Sequence, residues 1–104
     1  HNSAGSESAN GVETYYSSNA SNSNNIYISR NMATKINNAI VGKTGQYNRG
    51  AKDGNLYVCR NTNMPSVLVE LGFVSNPTEA AKCATWTNQD LAASAIAEAI
   101  ASSI

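Results

Sequence analysis

Ser66-Val67-Leu68-Val69-Glu70-Leu71-Gly72-Phe73 is the stretch from which the fold is read. Its run of β-branched and aliphatic residues, bounded by Pro65 and Gly72, predicts a strand buried on both faces inside a parallel sheet. Directly after it, Asn76-Pro77-Thr78-Glu79 carries a helix start: Asn as N-cap, Pro at the first helical position and Glu at the third. That helix is predicted over residues 77–84. A final helix is predicted from Thr87 onward, with Ile96, Ile100 and Ile104 in an i, i+4, i+8 stripe beside Leu91, Ala92, Ala95 and Ala99.

Upstream, Gly11-Val12-Glu13-Thr14-Tyr15-Tyr16 reads as a strand, because β-branched and aromatic residues suit a pleated surface. Residues 17–25 are a Ser/Asn-rich loop whose last members can cap a helix. From 24 to 41, Ile28, Met32, Ala33, Ile36, Ala39 and Ile40 recur three or four apart. This is the stripe of a helix with one buried face, and Gly42 is its expected left-handed stop. Residues 43–55, with three glycines among polar neighbours, are expected to be an exposed loop, and 56–60 a short strand. The alternation of strands and helices argues an α/β layer architecture. About three strands and three helices cannot cover a strand on both faces. Part of the sheet is therefore expected to lie outside this chain.

Composition narrows the class. A chain of 104 residues is one domain with a modest core. Charged residues make up 13%, against the usual share of about 25%. Asn and Ser fill the difference, which suits a carbohydrate or extracellular setting. The seven basic and seven acidic residues cancel, and no Lys/Arg cluster exists to neutralise phosphates, so nucleic acid is not an expected partner. No run approaches about 18 apolar residues, so no membrane span is expected. Cys59 and Cys83 form no metal-ligand spacing. They are either two small buried hydrophobes or a disulfide between a strand and a helix.

Three residues bear on chemistry. Glu70 closes the predicted strand, where an isolated carboxylate costs several kcal/mol unless paired or hydrogen-bonded. The carboxyl end of a strand is also where open α/β sheets place ligand sites. Glu70 is thus either a general acid/base or the partner of Arg60 or Arg49 in an ion pair. His1 is the only histidine; alone it is either a metal ligand or an ordinary chain end. Arg49, in a Gly-flanked segment, is either a substrate contact or a solvated charge.

Taken together and in order, these segments resemble the catalytic domain of the zinc-dependent N-acetylmuramoyl-L-alanine amidases of autolysins, sporulation hydrolases and phage endolysins. Gly11-Val12-Glu13-Thr14-Tyr15-Tyr16 is similar to the strand after the family's second zinc histidine. Asn48-Arg49-Gly50-Ala51-Lys52 resembles its Asn-Arg-Gly-x-Lys loop, and Leu56-Tyr57-Val58 the strand that follows. The stretch from Asn63-Met64-Pro65 through Glu70-Leu71-Gly72-Phe73-Val74-Ser75-Asn76-Pro77 resembles its longest signature. The last helix carries the expected Leu-Ala and Ala-Ile-Ala pattern.

The resemblance implies a three-layer α/β domain with a mostly parallel twisted sheet flanked by helices. Residues 1–104 would be the C-terminal part of that single domain, partnered by the missing N-terminal part. It implies peptidoglycan as substrate and an extracellular, cell-wall or phage-delivered location. One zinc held by two histidines and a glutamate would activate water. Attack then falls on the amide joining the lactyl group of N-acetylmuramic acid to L-alanine, and a second glutamate moves the proton. That second glutamate carries over to Glu70, and Arg49 becomes a substrate contact. His1 is carried over as a zinc ligand, although Asn2 follows it one position earlier than in the family pattern; otherwise the ligand is the residue before His1. The chain by itself is not expected to be active. The alternative function is an inactive half-domain that binds cell wall or self-assembles through exposed strand edges.

Overall fold

The structure, a computed structural model, describes residues 3–103. The elements run β1 (Val12–Tyr16), α1 (Ser23–Thr44), β2 (Asn48–Asp53), α2 (Tyr57–Arg60), β3 (Leu68–Glu70), α3 (Pro77–Cys83) and α4 (Trp86–Ala101). The sheet has the order β2-β1-β3. β1 pairs in parallel with β2 and antiparallel with β3. The architecture is therefore α/β, as expected, with a mixed three-stranded sheet.

Alternation along β1 separates two faces. Val12 and Thr14, both 0% exposed, point toward α1. Val12 joins Ile36 and Ile40 of α1 and Ala92, Ala95 and Ala99 of α4 in the core, with Val67, Val69 and Leu71 packed against it. Fully burying each Ile contributes about 1.5–3 kcal/mol. The small alanine face of α4 lets it lie close to α1. Thr14 and Asn37 are joined by a buried hydrogen bond, Thr14 Oγ1 donating to Asn37 Oδ1 at 3.0 Å.

β3 departs from the strand predicted over the deciding stretch. It is three residues long and half-buried, not sealed on both faces, and its partner β1 is antiparallel. Val67, Val69 and Leu71 face the core, while the alternation turns Leu68 and Glu70 to the opposite face. A continuous apolar run therefore conceals an alternating strand. Because β3 runs against β1, its carboxyl end meets the amino end of β1, so the parallel-sheet rule does not by itself locate a site here.

α1 is longer than the predicted 24–41. Asn22 caps it, its Oδ1 accepting from the backbone of Asn24 and Asn25 at 2.9 and 3.2 Å. Gly42 does not stop it; Thr44 Oγ1 donates back to Ile40 O at 2.8 Å, and Gly45, with φ 72°, closes the helix in the left-handed region.

Two segments exchange the roles expected of them. The expected loop 43–55 contains β2, and the expected strand 56–60 is the single turn α2. β2 lacks β-branched residues and is held by its ladder to β1, so propensity gives no sign of it. In α2, Tyr57 and Val58 are exposed and only Cys59 is buried, which suits a turn anchored at one point rather than a pleat. α3 and α4 start and stop close to the predicted bounds; Ile104, the last member of the predicted stripe, lies outside the described residues. Cys59 and Cys83 are both buried free thiols, which settles the choice against a disulfide. Burial pushes both thiols up in pKa, as for inert core cysteines.

Candidate active-site face

The face of the sheet turned away from α1 is built by a bulge. Val12 is opposite Asn48, but Glu13 is opposite Gly50, so Arg49 is the extra residue. Gly50 takes φ 83°, a conformation other residues adopt at a cost. The bulge is tied to α1 through one amide. Asn48 Oδ1 accepts from Gly50 N at 2.9 Å and from Asn37 Nδ2 at 2.7 Å. Asn37 Nδ2 also donates to Val12 O at 3.0 Å. A buried side chain of the core helix thus sets the backbone from which Arg49 projects.

Glu13 is the centre of this face. It is 2% exposed. Its Oε2 receives Arg49 Nε at 3.1 Å and Lys52 Nζ at 2.8 Å, and its Oε1 accepts from Tyr15 OH at 2.9 Å. Burial works against the charged form, but the hydrogen bonds from Lys52, Tyr15 and Arg49 outweigh it and hold the carboxyl below its ordinary value of 4.5. Tyr15 is raised by burial and by its bond to Glu13, with the charges of Glu13 and Glu70 adding and Arg49 opposing.

Glu70 is directly opposite Glu13 in the β1–β3 register. Two acids at cross-strand positions repel, and the two cations on Glu13 offset that repulsion. The two arginines weighed as ion-pair partners for Glu70 each hold other groups. Arg49 donates to Glu13 and, through Nη1, to Asn10 O at 3.3 Å. Arg60 Nη1 donates to Asn55 Oδ1 at 3.1 Å. Arg49 is further held with its guanidinium 4.7 Å from the centre of the Phe73 ring.

The structure therefore brings two of the three sequence-predicted residues, Glu70 and Arg49, to one face, on the two strands that flank β1. His1 lies outside the described residues. Among those described, no group of three or more His, Cys, Asp or Glu side chains could hold a metal ion. Glu13 and Lys52 were missed by sequence reading. Alternation in β1, with an acid between two core residues, was the available signal for Glu13. For Lys52 the signal was its place as the last residue of the Asn-Arg-Gly-x-Lys resemblance, but the bulge that turns it to this face is invisible in propensity.

The remaining close contacts fasten the ends of the strands. Gly11 N, just before β1, donates to the buried carboxylate of Glu79 in α3. A Cβ at Gly72, just after β3, would lie 2.7 Å from Cys83 Sγ and 2.9 Å from Glu79 Cγ. Glycine there lets α3 seat against the start of β1 and the end of β3.

Comparison with known proteins places this arrangement. The family model for N-acetylmuramoyl-L-alanine amidase matches residues 1–102. The chain is similar to N-acetylmuramoyl-L-alanine amidase LytC of Bacillus subtilis, 37% identical over 91 residues, covering 88% of this chain and 18% of LytC. Its fold is similar to the amidase of Clostridium difficile 630, with TM-score 0.86 and 29% identity, covering 98% of this chain and 52% of that one. The catalytic domain of CwlV, an amidase from Bacillus (Paenibacillus) polymyxa var. colistinus, gives TM-score 0.83 and 37% identity, covering 97% and 52%. The chain thus spans about half of each solved domain and less of the curated relative.

Proposed function

The chain belongs to the N-acetylmuramoyl-L-alanine amidase family, and on that premise we propose that residues 1–104 form the C-terminal part of a peptidoglycan amidase domain. The bond cleaved is the amide between the lactyl group of N-acetylmuramic acid and L-alanine. The observation that carries this reading is the placement of Glu70 on the open sheet face, in register with a Glu13 already neutralised by Arg49 and Lys52. That position gives Glu70 the part of the proton carrier in this reading, and Glu13 the part of an anchor for the two cations.

The family implies zinc, and the described residues do not supply its ligand set. Glu13 is a poor candidate, being committed to two cations. His1 is the ligand this chain would contribute, with the others coming from the part of the domain that the chain does not span. Bound there, zinc would make water nucleophilic near neutral pH.

This chain's own residues do the rest. Glu70 accepts the proton of the attacking water and delivers it to the departing amine of L-alanine, the two-way role a positioned carboxylate can fill. Arg49, fixed by Glu13, Asn10 and Phe73, contacts the substrate beside the scissile amide. The enzyme acts at the bacterial cell wall, secreted or delivered by a phage. Among the described residues no helix is long and apolar enough to cross a membrane.

The test is release of L-alanine amino termini from purified peptidoglycan by the complete domain. Release of reducing sugar ends instead would assign the cut to the glycan. Binding without any cleavage would favour the wall-binding module.

A further inference from the structure

Arg49 and Lys52 are three residues apart, a spacing that puts side chains on opposite faces of a regular strand. The bulge at Arg49 removes one step of the alternation, and both cations reach the same oxygen of Glu13. The Glu13 side chain is 3% exposed, whereas those of Arg49 and Lys52 are 29% and 39% exposed. The acid is sealed beneath two cations whose outer sides meet solvent.

Arg49 and Lys52 converge on one oxygen of Glu13, and cations crowded onto one oxygen repel each other. A structural ion pair needs only one of them. Arg49 keeps Nη2 without a hydrogen-bond partner among the described residues, while Nε and Nη1 are committed. A second carboxylate arriving from solvent would meet a preorganised pair of donors and relieve their repulsion.

We propose that Glu13 is a positioning residue that holds Arg49 and Lys52 as a two-cation reader for a carboxylate on the peptide stem, beside Glu70. This rests on the amidase reading above. Arg49 supplies planar directed donors, Lys52 a compact charge, and Glu13 touches neither substrate nor the reacting atoms.

The experiment uses the complete zinc-loaded enzyme on two muropeptides that differ only in whether the stem carboxylate is free or amidated. The readout is the ratio of their kcat/KM values. The native enzyme is expected to prefer the free acid by about tenfold or more, the scale of one charge-assisted contact. Glu13→Gln and Lys52→Gln should each bring the ratio close to one, and Lys52→Arg should keep it. Lys52 is half-exposed, so its variants test the idea even if Glu13→Gln fails to fold. A native ratio near one, or a preference that survives Lys52→Gln, overturns the proposal. If the native enzyme cleaves neither muropeptide at the lactyl amide, the amidase reading itself has failed.

Discussion

At the scale of single residues, two glutamates on neighbouring strands meet different surroundings, and the proposed function gives them different tasks. Glu13 is buried and saturated with cationic donors; Glu70 faces it from β3. Replacing Glu70 by Gln keeps shape and removes the proton acceptor. The expected loss is about 10²–10⁴-fold in kcat, the usual scale of a general acid/base, with zinc content unchanged by metal analysis. Near-native turnover would take Glu70 out of the mechanism. For Glu13 the prediction concerns pH. Its folded carboxyl titrates below the ordinary 4.5, so its contribution to stability is fully present above that value and is lost as pH falls below it. The melting temperature of the chelated domain should fall on acidification beneath about pH 4.5, and Glu13→Gln should make the fall shallower. Parallel curves for the two proteins would contradict the linkage.

At the scale of elements, the bulge in β2 does more than bend a strand. It turns Arg49 and Lys52 to one face, and Asn37 of α1 fastens it through Asn48. Gly50→Ala places a Cβ at φ 83° and should cost about 1–2 kcal/mol. It should also weaken substrate use more than its loss of stability explains, because the two cations move together. Unaltered kinetics would show that the bulge is dispensable. Asn37→Ala strands the Thr14 hydroxyl and the Val12 carbonyl inside the core. With each orphaned group costing about 1–3 kcal/mol, denaturant unfolding should register a loss of about 2–4 kcal/mol. A change under about 0.5 kcal/mol, as at a surface site, would mean that water replaces the amide.

At the scale of the whole molecule, the helices α1 and α4 cover one face of a thin particle, 39 × 30 × 17 Å. The other face carries the polar cluster. Since the chain spans about half of the solved relatives, the proposed activity belongs to the complete domain. Chelation of that domain should abolish cleavage, and added zinc should restore it. A chelator-insensitive enzyme would exclude the metal reading. Residues 1–104 alone should release no L-alanine amino termini from peptidoglycan, and measurable release would show that the site needs nothing beyond them.

The sequence by itself determined what depends on local chemistry and order. The apolar stripe of α1, the Asn-Pro-Thr-Glu start of α3, the Ile/Ala face of α4 and the β-rich Val12–Tyr16 segment were all legible. So was family membership, because the run from Asn63 to Pro77 keeps its order of residues. Glu70 and Arg49 were legible as unusual placements: an acid in an apolar strand and a cation between glycines. Tertiary structure alone decided the rest. β2 has no strand-forming side chains and exists only because β1 offers it a ladder. The Leu56–Arg60 segment, rich in strand formers, curls into a turn because only Cys59 finds a place inside. Glu13 and Lys52 belong together because an extra residue in one strand shifts its register against another, and register is a relation between two segments that no single segment encodes.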